Sequence, residues 1–308
     1  MSERGGESAS RRVVIGGASG MIGSAVAAAL RARGDSVQRL VRRTTIESPD
    51  EIWWNPAENK IDDVALQGAD VVLHFGGRSL DVRWTEATKQ EIRQSRIRST
   101  RLLADTIARL DPRPSTLLVI SATHFYGDRD DEVLEETSAR GHGFLADVVV
   151  AWEAAGDPAR EAGIRVVNPR CGPVLSKRGG ALARMLPVFR FGAGGTLGDG
   201  RQWFSWVVLD DVVNAMLWLV DHPEMEGGVN VTAPEPVTNA QFTDTLGRVL
   251  HRPTLTRAPQ FALRLVYGEL ADEILFVSQR VVPRRLLEAG FTFDYPTLEA
   301  ALRHVLHS

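Results

Sequence analysis

Five short apolar runs set the rhythm of the first half of the chain: Arg12–Gly16, Ser36–Val41, Asp70–His74, Thr116–Ile120 and Arg165–Asn168. Runs such as DVVLH and TLLVI lack the polar alternation of a half-solvated strand, so they predict strands buried on both faces of a parallel sheet. Between them the apolar spacing becomes helical. Met21–Arg33 is Ala-rich and is stopped by Gly34, Thr85–Arg109 carries a stripe through Ile92, Ser95, Ile97, Leu102 and Leu103, and Gly143–Glu161 is a third helical stretch. Strands alternating with helices in this way predict a doubly wound α/β fold.

Beyond residue 175 the rhythm changes. Helical patterns at Ala181–Arg190, Asp211–Asp221, Asn239–Leu250 and Pro259–Tyr267 are separated by Gly/Pro-rich turns, and the last forty residues read as helical throughout. The expected division is a polar, disordered tail over 1–10, a sheet domain over 11–175 and a small, mostly helical lobe over 176–308. Strand-like runs at Gln202–Val207 and Val229–Thr232 are the two segments able to rejoin the main sheet.

The turn after the first strand reads GASGMIG, Gly17 to Gly23. Glycines at this spacing occur by chance in a chain with 28 of them, but here they sit between a strand and a helix in a βαβ unit of about thirty residues. Gly17 then serves the tight turn, Gly20 lets a pyrophosphate approach the backbone N–H groups at the helix start, and Gly23 permits close helix-to-strand packing. This context predicts a Rossmann-type dinucleotide site that includes Gly17, Ser19, Gly20, Met21, Ile22 and Gly23. Gly76 and Gly77, just past the strand ending at His74, fit a strand end that runs beneath the same ligand.

The second strand ends in Val41, Arg42 and Arg43, where an NAD site would carry an acidic residue for the ribose 2′-hydroxyl. Guanidinium groups at that place suit a 2′-phosphate, so NADP(H) is expected in preference to NAD(H).

Charge and composition narrow the remaining choices. The formal net charge of −3 argues against a dedicated nucleic-acid binder, and no run of 18 apolar residues or apolar leader is present, so no membrane partner is expected either. One cysteine, Cys171, excludes a disulfide framework, and a cytoplasmic location is the expectation. The seven histidines show no metal-ligand spacing and there is no GxSxG, so neither a metal centre nor a serine hydrolase is expected.

Taken together, GGASGMIG, LVRR, ADVVLHFGG, RWTEATKQEIRQSR, SATHFYGDRDDEVL, GRQWFSW with the following LDDV, NVTAPEPVTNAQF and SQRVVPRRLLEAGFTFDYPTLEAAL resemble the extended short-chain dehydrogenases/reductases. More narrowly, the chain resembles the atypical subgroup labelled NAD-dependent epimerase/dehydratase family, which carries a small extra C-terminal segment. The resemblance implies a cofactor domain plus a substrate lobe, and catalysis by a Tyr with a Lys four residues on and a Ser or Thr. The chain departs from that pattern. Residues four places after Tyr126, Tyr267 and Tyr295 are Asp130, Ala271 and Glu299, and Lys occurs only at 60, 89 and 177. By spacing, the family's Ser/Thr falls on Ala122, and its Tyr and Lys fall near Leu145 and Val149, both apolar.

Ser121 and Tyr126, with His124 between them, lie just past a strand end and are the candidate catalytic residues, Ser121 also bordering the cofactor; the alternative is that Tyr126 packs under the nicotinamide with its hydroxyl satisfied. Arg201, Trp203 and Trp206 are candidate substrate contacts, the alternative for the tryptophans being lobe packing. Asp210 is expected to cap a helix over Asp211–Asp221, and Cys171 to be a packed side chain. The expected function is an NADP(H)-dependent oxidoreductase or epimerase on a small polar substrate, and the alternative is a non-catalytic NADP(H)-binding or sensing protein. Either a monomer or a homodimer through Thr85–Arg109 and Gly143–Glu161 is compatible with the pattern.

Overall fold

The structure, a computed structural model, describes residues 10–307. The expected tail therefore lies outside the described residues except for Ser10, whose hydroxyl donates to the Gly34 carbonyl at 2.8 Å. Seven parallel strands build the main sheet: β1 (Arg12–Gly16), β2 (Ser36–Val41), β3 (Glu51–Asn55), β4 (Val71–His74), β5 (Thr116–Val119), β6 (Arg165–Cys171) and β7 (Gly227–Val231). Their spatial order is 3-2-1-4-5-6-7, with the short antiparallel Lys60–Ile61 beside β3 and Ser121–Ala122 continuing β5 along β6. The order reverses between β1 and β4, which places the switch point, and any ligand crevice, over Gly17 and Gly76.

The reason these runs form central strands is their burial. Val13, Val14, Ile15, Val72, Leu73, Leu117 and Leu118 are all fully buried, with β1 flanked by β2 and β4 and β5 flanked by β4 and β6. Helices cover the two faces: α1 (Met21–Ala32), α2 (Glu86–Ile107), α3 (Phe144–Ala154) and α4 (Leu209–Asp221). α2 is started by a capping box in which Thr85 and Thr88 exchange side-chain-to-backbone hydrogen bonds. It buries Ile92, Ser99, Leu102, Leu103 and Ile107.

Some expected elements are met and others are corrected. The helix foreseen over Gly143–Glu161 stops at Ala154 and resumes as Asp157–Glu161, because Pro158 lacks the amide and Gly156 lies where a side chain would press on Val166. Of the two segments able to rejoin the main sheet, the second does so, as Gly227–Val231 beside β6. Gln202–Val207 instead yields two pieces, Trp203–Phe204 antiparallel to Val237–Thr238 and Val207–Val208 parallel to Val174–Leu175. The last forty residues are not wholly helical: they hold the strand Arg280–Val281 and helices Arg284–Glu288 and Leu298–His307, and Phe291 and Phe293 between those helices plug the core. A second apolar cluster, centred on Trp206, Leu182, Phe242 and Leu302, binds the lobe together.

α4 begins at Leu209 after an uncapped Val208, so Asp210 is not the cap. Asp211 is fully buried and accepts the amides of Asp294 and Tyr295 at 2.8 and 3.2 Å, while Asp210 meets His304 at 3.0 Å. The paired carboxylates thus tie the C-terminal segment to α4. Among the described residues no helix is long and apolar enough to cross a membrane.

Candidate functional site

The three glycines of the first turn have separable roles. Gly17 has φ +78°, and a Cβ on it would strike the backbone of Phe75 and Gly76. A Cβ on Gly23 would overlap the Gly17 carbonyl, so helix and strand approach as closely as the backbone allows. Gly20 is different: a Cβ there would meet only the Gly17 oxygen, at 3.4 Å, and otherwise open space. Gly20 is also the N-cap of α1, no side chain caps that end, and its first turn holds no acidic residue. Ser19, Met21 and Ile22 flank this open N-terminus, whose positive dipole end and free amides fit a pyrophosphate.

At the end of β2 the two arginines diverge. Arg43 donates to both oxygens of Glu51 at 2.6 Å and to Glu47 at 2.9 Å. Glu51, its side chain only 1% exposed, also receives Arg39. Its carboxyl is held below the usual range by the Glu47 amide first, then by the Arg43 and Arg39 guanidiniums, against the opposing effect of burial. The two arginines expected at the cofactor thus stand in different surroundings. Arg43 neutralises a buried acid, and the exposed Arg42 makes no hydrogen bond or ion pair with the described residues.

The carboxyl ends of β4 and β5 carry a buried polar layer. His74 Nε2 lies 2.7 Å from the Ser99 hydroxyl, and burial pushes its pKa down to about 4. Burial does the same to His124, also to about 4, and its Nε2, like the Thr123 hydroxyl, lacks a partner. Ser121 donates to Glu153 Oε1 at 2.6 Å. Tyr126 is fully buried, donates to Asn230 Oδ1 at 2.7 Å and accepts from Arg170 at 3.1 Å. Burial raises the Tyr126 pKa further, with Arg170 opposing it. The candidate catalytic phenol is thus a core side chain with both hydrogen-bonding capacities used, because desolvation demands partners. Leu145 and Val149 are buried apolar residues, as their identity requires.

Sequence reasoning missed the residues that organise this layer. Arg170 stacks on Phe125 at 3.4 Å and clamps Glu153 through two bonds of 2.9 Å. A signal existed: Leu145, Val149 and Glu153 recur every four residues, so Glu153 belongs to the buried face of α3.

The candidate substrate residues are dispersed. Trp206 is fully buried in the second cluster, which corrects its assignment as a substrate contact. Trp203 donates to Asp131 at 2.7 Å and stacks with Arg280 at 4.4 Å, joining the turn at Asp131 to the strand Arg280–Val281. Arg201 is exposed, and only its amide is engaged, by Asp199 at 3.0 Å. Cys171 is buried, its thiol pushed up to about 12 by desolvation, so it is no nucleophile. Among the described residues no group of three or more His, Cys, Asp or Glu is placed to hold a metal ion.

Comparison with known proteins decides the family. Residues 13–232 match the NAD dependent epimerase/dehydratase family, and residues 258–305 match a domain of unknown function, DUF1731. The chain belongs to the NAD-dependent epimerase/dehydratase family. It is 45% identical over 291 residues to epimerase family protein MT2273 of Mycobacterium tuberculosis, covering 94% of this chain and 96% of that one. Human epimerase family protein SDR39U1, whose crystal structure was solved with NADPH, superposes with a TM-score of 0.86 at 30% identity, covering 96% of this chain and 99% of that one. UDP-N-acetylglucosamine 4-epimerase from Bacillus cereus shares the fold, with a TM-score of 0.74 at 16% identity over 96% of this chain and 98% of that one. The glycine turn of Gly17, Gly20 and Gly23 opens the segment that this NAD(P)-binding family matches, and the Glu153–Arg170 pair lies within the same segment.

Proposed function

We propose that this family member binds NADP(H) in preference to NAD(H) and uses it as an oxidoreductase or epimerase on a small polar substrate. The observation that carries the cofactor choice is the division of labour at the end of β2. Arg43 cancels the Glu51 charge, and Arg42 stays unpaired and exposed for a 2′-phosphate. The solved relative holding NADPH supports the same reading.

Gly17, Ser19, Gly20, Met21, Ile22 and Gly23 would hold the pyrophosphate, and Gly76 would let the chain pass beneath it. The nicotinamide, when bound, supplies a hydride donor or acceptor. Arg201, with its side chain free at the lobe edge, is the residue offered to an anionic substrate group. Nicotinamide fluorescence titrations with NADPH and NADH test the cofactor choice, and equal affinities would overturn it. Absorbance assays across aldehydes, ketones and nucleotide sugars test turnover.

A second reading, an NADP(H)-holding or sensing protein without turnover, is favoured by one observation. Both Ser121 and Tyr126 spend their hydroxyl protons on protein acceptors, Glu153 and Asn230. Tight NADPH binding without nicotinamide oxidation across those substrate classes is the result that this reading expects.

A further inference from the structure

Arg96 lies on the buried stripe of α2, four residues after Ile92 and four before Thr100, where an apolar residue is expected. Its guanidinium is part-buried over the Trp152 ring at 5.2 Å, between α2 and α3. Nη1 donates to the carbonyls of Arg78 and Ile92, both at 3.0 Å. Nε and Nη2 have no hydrogen-bond partner among the described residues, and no carboxylate pairs with the group. Burial alone lowers its pKa to about 10. A part-buried guanidinium with two unused faces and no carboxylate partner is a place where an anion is favoured.

The surroundings say where that ligand would lie. A Cβ on Gly77 would stand 3.1 Å from Cζ and 3.4 Å from Nε, so glycine at this position keeps the guanidinium reachable from the loop that follows β4. The charge of Arg96 is felt by both His74 and His124 and helps to keep those rings neutral. The Thr123 hydroxyl and His124 Nε2, at the end of the neighbouring strand, are buried without partners. Glu153, which follows Trp152 on α3, is paired with Arg170.

We propose that Arg96 is an anion-recognising side chain, taking a carboxylate or phosphate group of a ligand seated over Gly76 and Gly77, with Thr123 and His124 as further polar contacts. The proposal rests on the reading that the adjoining glycine cradle holds a dinucleotide. The anion has two possible sources, the phosphates of the cofactor or an acidic group of the substrate.

The test uses full-length Arg96→Met and Arg96→Lys. Affinity for NADPH is read by fluorescence titration, and the melting temperature is read alone and with inorganic phosphate or succinate, each with and without NADPH. If the cofactor is the source, Arg96→Met weakens NADPH at least tenfold. If the substrate is, NADPH binding is kept, and the stabilisation by phosphate or succinate seen in the wild type vanishes. Arg96→Lys retains part of whichever effect is lost. In both cases ligand-free Arg96→Met melts close to the wild type, since the loss of two hydrogen bonds to carbonyls is offset by removal of a part-buried charge that has no carboxylate partner. Melting well below the wild type without ligand identifies a structural arginine and overturns the proposal, as do unchanged NADPH affinity and unchanged anion responses. Failure of the wild type itself to bind NADPH refutes the cofactor reading instead, while the anion arm without NADPH still judges Arg96.

Discussion

Glu153 and Arg170 face each other in a two-point ion pair, Nε to Oε1 and Nη2 to Oε2, both at 2.9 Å, with side chains only 13% and 7% exposed. Ser121 and Tyr126 hang from the two ends of this pair. Removing one partner strands the other charge in a poorly solvated place. Glu153→Gln is therefore expected to cost about 3–5 kcal/mol, and Glu153→Leu combined with Arg170→Met to recover much of that loss. Urea unfolding of the three proteins checks it; a single variant as stable as the wild type contradicts the pairing.

Arg42 and Arg43 are expected to separate cleanly by substitution. Arg42→Ala should weaken NADPH about tenfold or more, the worth of one charge-assisted hydrogen bond, at unchanged melting temperature. Arg43→Ala should lower stability by roughly 1–3 kcal/mol, because Glu51 then keeps only Arg39 as a cationic partner. Paired titrations and melts decide, and identical phenotypes would refute the division.

The cradle glycines make a similar contrast. Gly20→Val points into open space, so the fold should survive while NADPH no longer raises the melting temperature. Gly23→Ala collides with the Gly17 carbonyl and should lower the melting temperature of the ligand-free protein. A Gly20→Val protein still stabilised by NADPH would remove this loop from the site.

Acid should expose the neutral histidines. The folded pKa of His74 is near 4, below the ordinary 6.5, so the folded state binds fewer protons than the unfolded state between those values. Stability is present above 6.5 and is lost as pH falls toward 4. Subtracting the pH profile of His74→Asn from that of the wild type isolates this contribution. The difference should slope by up to one proton inside the window and flatten above pH 7; a flat difference throughout shows that His74 titrates normally.

Tyr126→Phe tests the core role of the phenol. Losing its hydroxyl leaves Asn230 Oδ1 without that donor, so stability should fall by about 1–2 kcal/mol while NADPH affinity holds. A loss of NADPH affinity at unchanged stability would return Tyr126 to the ligand site.

Chain-local physics was enough to read the cradle and the alternation of strand and helix. Val13–Ile15 could only be a central strand, and Gly17, Gly20 and Gly23 act over a single turn, where sequence spacing equals spatial spacing. The same holds for the arginines after β2 as a departure from an acid. What those side chains do was decided elsewhere in the fold. Glu51, eight residues beyond Arg43, claims that arginine from the next strand, leaving Arg42 alone. Tyr126 reads either as a candidate at a strand end or as a packed phenol with its hydroxyl satisfied, and only β7, about a hundred residues later, supplies the Asn230 that accepts from it. Glu153 and Arg170 meet only because α3 packs across β6, and Arg96 reaches Gly77 only because α2 packs on the same face. Burial and charge compensation depend on which elements become neighbours, and that neighbourhood is a property of the sheet order, which no local pattern of residues carries.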